Sequence, residues 1–234
     1  MRRNLLGNLP FVISGILLLS LLLPVPLRAR DEADFVQNLI DSMSVEDKVG
    51  QIFLVTFTGS DFGPESDIAE LITEYRVGGV VLLASNRNFT NGEDTPRQVA
   101  DLTNSLQALA FSKPISGTNT SVPLFIAVTQ EGDGYPYTQI TGGVTAIPNN
   151  MALGATWNVN NAEKVGEIVG RELAAMGINM LLGPSLDVLD NPRPGLKGDL
   201  GTRVFGGDPY WVGKFGQAYI RGVHQGGEGK VAVV

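Results

Sequence analysis

LGPSLDVLDNPRPGLKGDLGTRVFGGDP (Leu182–Pro209) and LFIAVTQEGDGYPY (Leu124–Tyr137) are the stretches that decide how this chain folds. Each opens as an apolar run and ends abruptly in a polar loop rich in glycine and proline. In an α/β protein with parallel strands, that junction is the carboxyl end of a strand, where ligands bind. The first loop supplies Asp187, Asp190, Asn191 and Arg203, the second Thr129, Gln130, Glu131 and Asp133. Carboxylates, amides, a hydroxyl and a guanidinium gathered at one rim suit a polar, hydroxyl-rich ligand.

Working outward, the same alternation recurs along the chain. Strands are predicted at Gln51–Phe57 (wholly buried), Val80–Ala84, Leu124–Val128, Ile178–Leu182 and Lys230–Val234. Helices are predicted between them at Ser66–Arg76, from an N-cap at Thr95 with Pro96 behind it, at Asn160–Met176 and at Pro209–His224. Ser44 and Asp47 have the spacing of a capping box, and Asp31–Met43 reads as a short helix with Phe35, Leu39 and Ile40 on one face. Strands alternating with helices at this spacing imply βαβ units and a parallel sheet, and their unbroken apolar runs imply cover on both faces. Periodicity alone leaves a (β/α)8 barrel and an open doubly wound sheet both standing.

Charge and composition exclude several classes. The net charge of −7 argues against a nucleic-acid partner, because phosphate binding needs a basic surface. No cysteine means no disulfide and no thiolate metal site, and His224, the only histidine, cannot build a multi-histidine centre. No cofactor is expected. GDGYPY follows a strand, yet it lacks the third glycine and the helix of a dinucleotide turn. Residues 1–30 form a targeting segment, a signal peptide or an uncleaved N-terminal anchor. Arg2 and Arg3 precede the uncharged run Phe11–Leu23, which is short for a membrane span, and Pro24 and Pro26 end it. Its removal takes four arginines, moving the charge from −7 to −11, so an acidic exported protein is expected. Any membrane contact would run through this segment alone.

Several motifs also carry a resemblance. LFIAVTQEG resembles the "IAVDQEGG" strand and loop of the glycoside hydrolase family 3 N-terminal domain, and GPSLDVLDNP with GTRVFGGDP resembles its "APVLDV…NP…RSFG.DP". MSVEDKVGQIFLVTF, VGGVVLLASN and IPNNMALGAT match in the same order, so the likeness runs from Met43 to Val234. It implies that residues 31–234 are about the first half, strands one to five, of a (β/α)8 barrel. It implies a carbohydrate substrate and retaining hydrolysis of β-N-acetylhexosaminides or β-glucosides, without metal or organic cofactor. It also places the Lys-His motif, the nucleophile and the proton donor beyond residue 234. The chain alone is therefore expected to be inactive, with the other half of the barrel as its partner.

The resemblance assigns the loop residues as well. Arg203 matches the arginine of the sugar subsite beside the cleaved bond; the plainer alternative is a loop-holding pair with Asp208 or Asp187. Thr129 stands where the family has an aspartate, which exchanges charge-assisted hydrogen bonds to sugar for neutral ones. Asp133 could supply the missing carboxylate or be an ordinary turn residue. Glu131 and Asp187 would organise the loops and are not expected to be catalysts. Tyr135 and Tyr137 could offer a stacking face to a pyranose or pack in the core. Two other readings remain: a non-catalytic carbohydrate-binding or scaffold protein of the same fold, and an open α/β binding protein of the periplasm.

Overall fold

The computed structural model describes residues 27–191 and 201–234. The apolar run Phe11–Leu23 lies outside them, and among the described residues no helix is long and apolar enough to cross a membrane. The chain divides into two compact units, Met1–Ser42 and Met43–Val234. In the first, helix α1 spans Leu27–Ser42, four residues longer at its start than the apolar pattern indicated.

The second unit opens with α2, Val45–Gln51, held by the expected capping box: Asp47 N–H donates to Ser44 Oγ at 3.0 Å, and Ser44 N–H donates back to the Asp47 carboxylate. This helix takes Gln51 from the expected first strand and its exit turn takes Ile52, so β1 is only Leu54–Val55. Helix α3 (Asp67–Thr73, capped by Ser66) leads to β2 (Gly79–Val81), and α4 (Thr95–Ser112) to β3 (Phe125–Val128). A short helix α5, Asn150–Ala155, and the long α6, Val159–Ala175, precede β4, Met180–Leu181. Helix α7, Pro209–Gly226, brings the chain to β5, Ala232–Val233. The N-cap of α4 is Asp94 rather than Thr95. The Thr95 hydroxyl is buried and accepts from Gly92 N–H at 2.7 Å, tying down the preceding turn instead.

All five strands are parallel and lie in the order β1-β2-β3-β4-β5. A doubly wound sheet reverses its order at a switch point. Unbroken sequential order with a helix between each strand and the next is that of a (β/α)8 barrel, of which this is a five-strand arc.

Side chains alternate across the sheet. Val80 and Ile126 are fully buried against the helices with Val99, Leu102 and Leu106, whereas Leu54, Gly79 and Phe125 form a row on the other face. There Leu54 and Phe125 stay about half exposed, so β1 is not the wholly buried strand the sequence suggested. Its apolar run serves one covered face and one open one. Helices α6 and α7 pack through glycine. A Cβ on Gly166 or Gly170 would lie 2.2 Å from a carbonyl oxygen of α7, and one on Gly222 or Gly226 within 2.0 Å of a carbonyl oxygen of α6. The two backbones touch, and no larger residue fits.

Candidate functional site

The site begins where β3 ends. After Val128 the chain folds back on itself: Gln139 N–H donates to Thr129 O at 3.1 Å, and Glu131 N–H to Tyr137 O at 3.3 Å. Gly132, Asp133 and Gly134 turn the corner with φ of 82°, 60° and 70°; glycine adopts this left-handed region readily, and aspartate is among the few other residues that do. Gln130 closes the hairpin from inside, its amide donating to Ile140 O at 2.8 Å.

Glu131, buried at 3%, meets Arg203 from the loop after β4. Arg203 Nε donates to Glu131 Oε2 at 2.5 Å and Nη2 to Oε1 at 3.2 Å, a two-pronged pair. The hydrogen bond to Glu131 is the main reason the guanidinium holds its proton more firmly than usual; the charges of Glu131, Tyr137 and Asp187 add to it, against the cost of burial. Neither Asp208 nor Asp187 is the principal partner of Arg203. Asp208 instead caps α7, accepting from Tyr210 and Trp211 N–H, and Asp187 accepts from Ser185 Oγ at 2.7 Å. Gly183 makes the Glu131–Arg203 pair sterically feasible, because a Cβ there would lie 2.7 Å from Glu131 Oε1.

Two further anchors fix the guanidinium. Its carbon sits 4.7 Å from the centre of the Tyr137 ring, and the Arg203 carbonyl accepts from Asn150 Nδ2 at 2.7 Å. Asp133 ties the same loops together, one oxygen accepting from Asn149 Nδ2 at 2.6 Å and the other from the Thr202 hydroxyl. Asp133 is thus occupied in joining two loops. Below them Tyr219 is fully buried, its hydroxyl 3.5 Å from Gln130 O. Burial first, and the charge of Glu131 second, hold that phenol well above its ordinary pKa, so it stays protonated.

What remains open defines what the arrangement can do. Among the described residues the Thr129 hydroxyl and Arg203 Nη1 have no hydrogen-bond partner. Tyr135 and Tyr137 are exposed beside them. Glu131 is locked and buried, which suits a residue that orients Arg203 rather than one that gives a proton to a ligand. Among the described residues, no group of three or more histidine or acidic side chains could hold a metal ion.

The structure therefore brings Arg203, Glu131, Asp133 and Tyr137 together. Asp187 faces them only through its charge. Asn149, Asn150 and Thr202 escaped the sequence reading. The signal for the first was the N-cap position after Pro148, since Asn149 accepts from Ala152 N–H at 2.7 Å as the cap of α5. Asn88-Phe89-Thr90 has the Asn-X-Thr pattern of a glycosylation acceptor but is none as it stands. Asn88 is buried at 2%, with its amide donating to the carbonyls of Phe57 and Gly59.

Comparison with known proteins completes the picture. The model of the glycosyl hydrolase family 3 N-terminal domain matches residues 44–234. A β-hexosaminidase A of Pseudoalteromonas piscicida is 33% identical over 164 residues, covering 69% of this chain and 25% of the relative. A periplasmic β-glucosidase of Salmonella typhimurium is 28% identical over 198 residues, covering 85% of this chain and 21% of the relative. The solved structure of a family 3 β-N-acetylglucosaminidase from Paenibacillus sp. superposes with a TM-score of 0.68 at 36% identity, covering 82% of this chain and 32% of that one. The chain thus spans about a quarter of the length of these two curated relatives.

Proposed function

This chain belongs to glycosyl hydrolase family 3, and on that premise we propose that it forms the N-terminal part of a retaining β-glycosidase. The substrate is a β-glucoside or a β-N-acetylhexosaminide, the two activities named among its relatives. The observation that carries the reading is the fixed guanidinium of Arg203. Its two inner donors are committed to buried Glu131, its plane lies over Tyr137, and its outer edge faces the rim. A planar donor held this way can bridge two neighbouring sugar hydroxyls without paying for its own ordering. Thr129 and the faces of Tyr135 and Tyr137 complete the contact, while Asp133 and Asp187 shape the loops and their field. Export through residues 1–30 belongs to the same proposal, in keeping with the periplasmic relative.

Titration of the full chain with glucose and N-acetylglucosamine, followed by calorimetry, tests it. Arg203→Lys keeps the charge and loses the fork, and binding should weaken at least about tenfold. Equal affinity of both proteins would overturn the role of Arg203.

One observation favours a second reading, a non-catalytic sugar-binding protein of the same fold: the hydroxyl of Thr129 is neutral where a charged acceptor would grip harder. Thr129→Asp should tighten monosaccharide binding by about five- to tenfold, the gain of a charged over a neutral hydrogen bond. An unchanged affinity would remove Thr129 from the sugar contact.

A further inference from the structure

The rim carries a second feature that the Arg203 site does not use. Both tryptophans of the chain, Trp157 and Trp211, meet edge to face with ring centres 5.3 Å apart. They line an open cavity of about 290 Å3, floored by Met151, Phe205 and Phe215, with Asp208 at its edge. Trp157 is 67% exposed and Trp211 37%, and neighbouring Tyr210 stacks edge-on against Trp211.

Trp157 is placed at a cost. It follows α5 in the left-handed region, φ 51°, with its N–H donating to Gly154 O at 3.0 Å. That is the position just past a helix end where glycine or asparagine normally sits. A bulky indole there is strained, and leaving it in water forfeits the burial that usually favours an aromatic residue. Neither cost contributes to folding, so both point to a role in recognition.

The chemistry selects the ligand. Apolar ring walls with one or two polar groups are the make-up of a small-molecule site. Asp208 is the one charged residue among the described residues lining the cavity, which disfavours anions. Its Oδ1 is engaged by Tyr210 and Trp211 N–H, while Oδ2 has no partner among the described residues and can accept from a hydroxyl. A pyranose has a matching apolar C–H face and a rim of hydroxyl donors. The cavity is also close to Arg203 along the chain. Phe205 and Gly206 line it, and three residues of chain span at most about 11 Å, within reach of a short oligosaccharide.

We propose that the Trp157–Trp211 cavity is a second sugar subsite that holds a neutral pyranose of a β-linked oligosaccharide whose end unit sits at Arg203. It rests on the reading of Arg203 as a sugar contact and extends that reading by chain length. Because the only two tryptophans line this cavity, their emission reports its occupancy. The experiment titrates the full chain with glucose, cellotriose, N-acetylglucosamine and chitotriose, reading tryptophan emission and, in parallel, calorimetric affinity.

The trisaccharide of the preferred series should shift and quench the emission and bind about tenfold tighter than its monosaccharide, which should leave the emission unchanged. Trp157→Asn places a residue that tolerates the left-handed region, so the protein should fold at least as stably. It should nevertheless lose the trisaccharide advantage, about tenfold, and keep monosaccharide affinity. Trp211→Leu, on the other wall, should show the same loss. Unchanged trisaccharide affinity in both variants overturns the subsite, and the Arg203 reading survives if Arg203→Lys still weakens the monosaccharide. No binding of any sugar overturns both. An emission shift with protein concentration and without sugar marks the patch as a contact between copies, and overturns the subsite.

Discussion

The two ends of the barrel arc treat their polar groups in opposite ways. At the amino ends of the strands the side chains satisfy one another. Asp47 takes Ser44 and lies 3.9 Å from Arg76, Lys113 pairs with Glu74, and Arg76 donates to the carbonyls of Lys113 and Pro114. At the carboxyl ends Arg203 Nη1, the Thr129 hydroxyl and Asp208 Oδ2 are left without protein partners among the described residues, and the rings of Tyr135 and Trp157 stand mostly in the open. A closed set of hydrogen bonds holds a fold, and an open set waits for a ligand; the barrel separates the two tasks by end. The exceptions are closed contacts placed among these open groups: Asp133 with Asn149 and Thr202, Asp187 with Ser185, and, buried, Glu131 with Arg203.

That pair gives the largest expected effect. Arg203→Ala leaves the Glu131 carboxylate buried without a counter-charge and should lower stability in urea unfolding by about 3–5 kcal/mol. A loss below about 1 kcal/mol would class the pair with surface ion pairs and remove that exception. Next, Gly222→Ala should destabilise by about 1–3 kcal/mol although alanine is the better helix former, because its Cβ meets Glu163 O at 2.0 Å. Thermal melting checks it, and a neutral result would mean that the two helices can separate without loss.

The smallest effect sharpens the amino-end half of the comparison. Ser44→Ala should cost about 1 kcal/mol near neutral pH and leave sugar affinity unchanged. Burial alone would raise the carboxyl pKa of Asp47, but hydrogen bonds from Ser116 and Ser44 outweigh it and hold it below its ordinary value near 3.8. A depressed carboxyl stabilises the fold above that ordinary value, and the contribution disappears as pH falls through the depressed one. The difference between wild type and Ser44→Ala should therefore narrow in acid melts below about pH 4. A gap independent of pH would mean that the cap works without its carboxylate.

Much of the architecture was legible because it follows local patterns. Apolar runs marked all five strands, two of them ending in Gly- and Pro-rich loops, and Ser44 with Asp47 marked a helix start that the backbone confirms. The strand at Gln51–Phe57 was overdrawn because Gln51 ends the capped helix and the next two residues form its exit turn, Ile52 N–H donating to Val49 O and Phe53 N–H to Gly50 O, which an apolar run does not reveal. The partner of Arg203 was not legible. Glu131, Asp187 and Asp208 are all nearby carboxylates, and the choice among them depends on how two loops 72 residues apart in sequence approach each other. The role of Asp133 was hidden for the same reason, since Asn149 and Thr202 reach it from separate loops.

The glycine contacts between α6 and α7 bear on movement. Where two helix backbones touch along two full turns, neither can tilt or slide without carbonyl oxygens colliding, and a packed interior transmits such a push rather than absorbing it. The strand between these helices, β4, is therefore mounted without a hinge. Any closing of the rim over a captured sugar has to be carried by loop torsions above that mount.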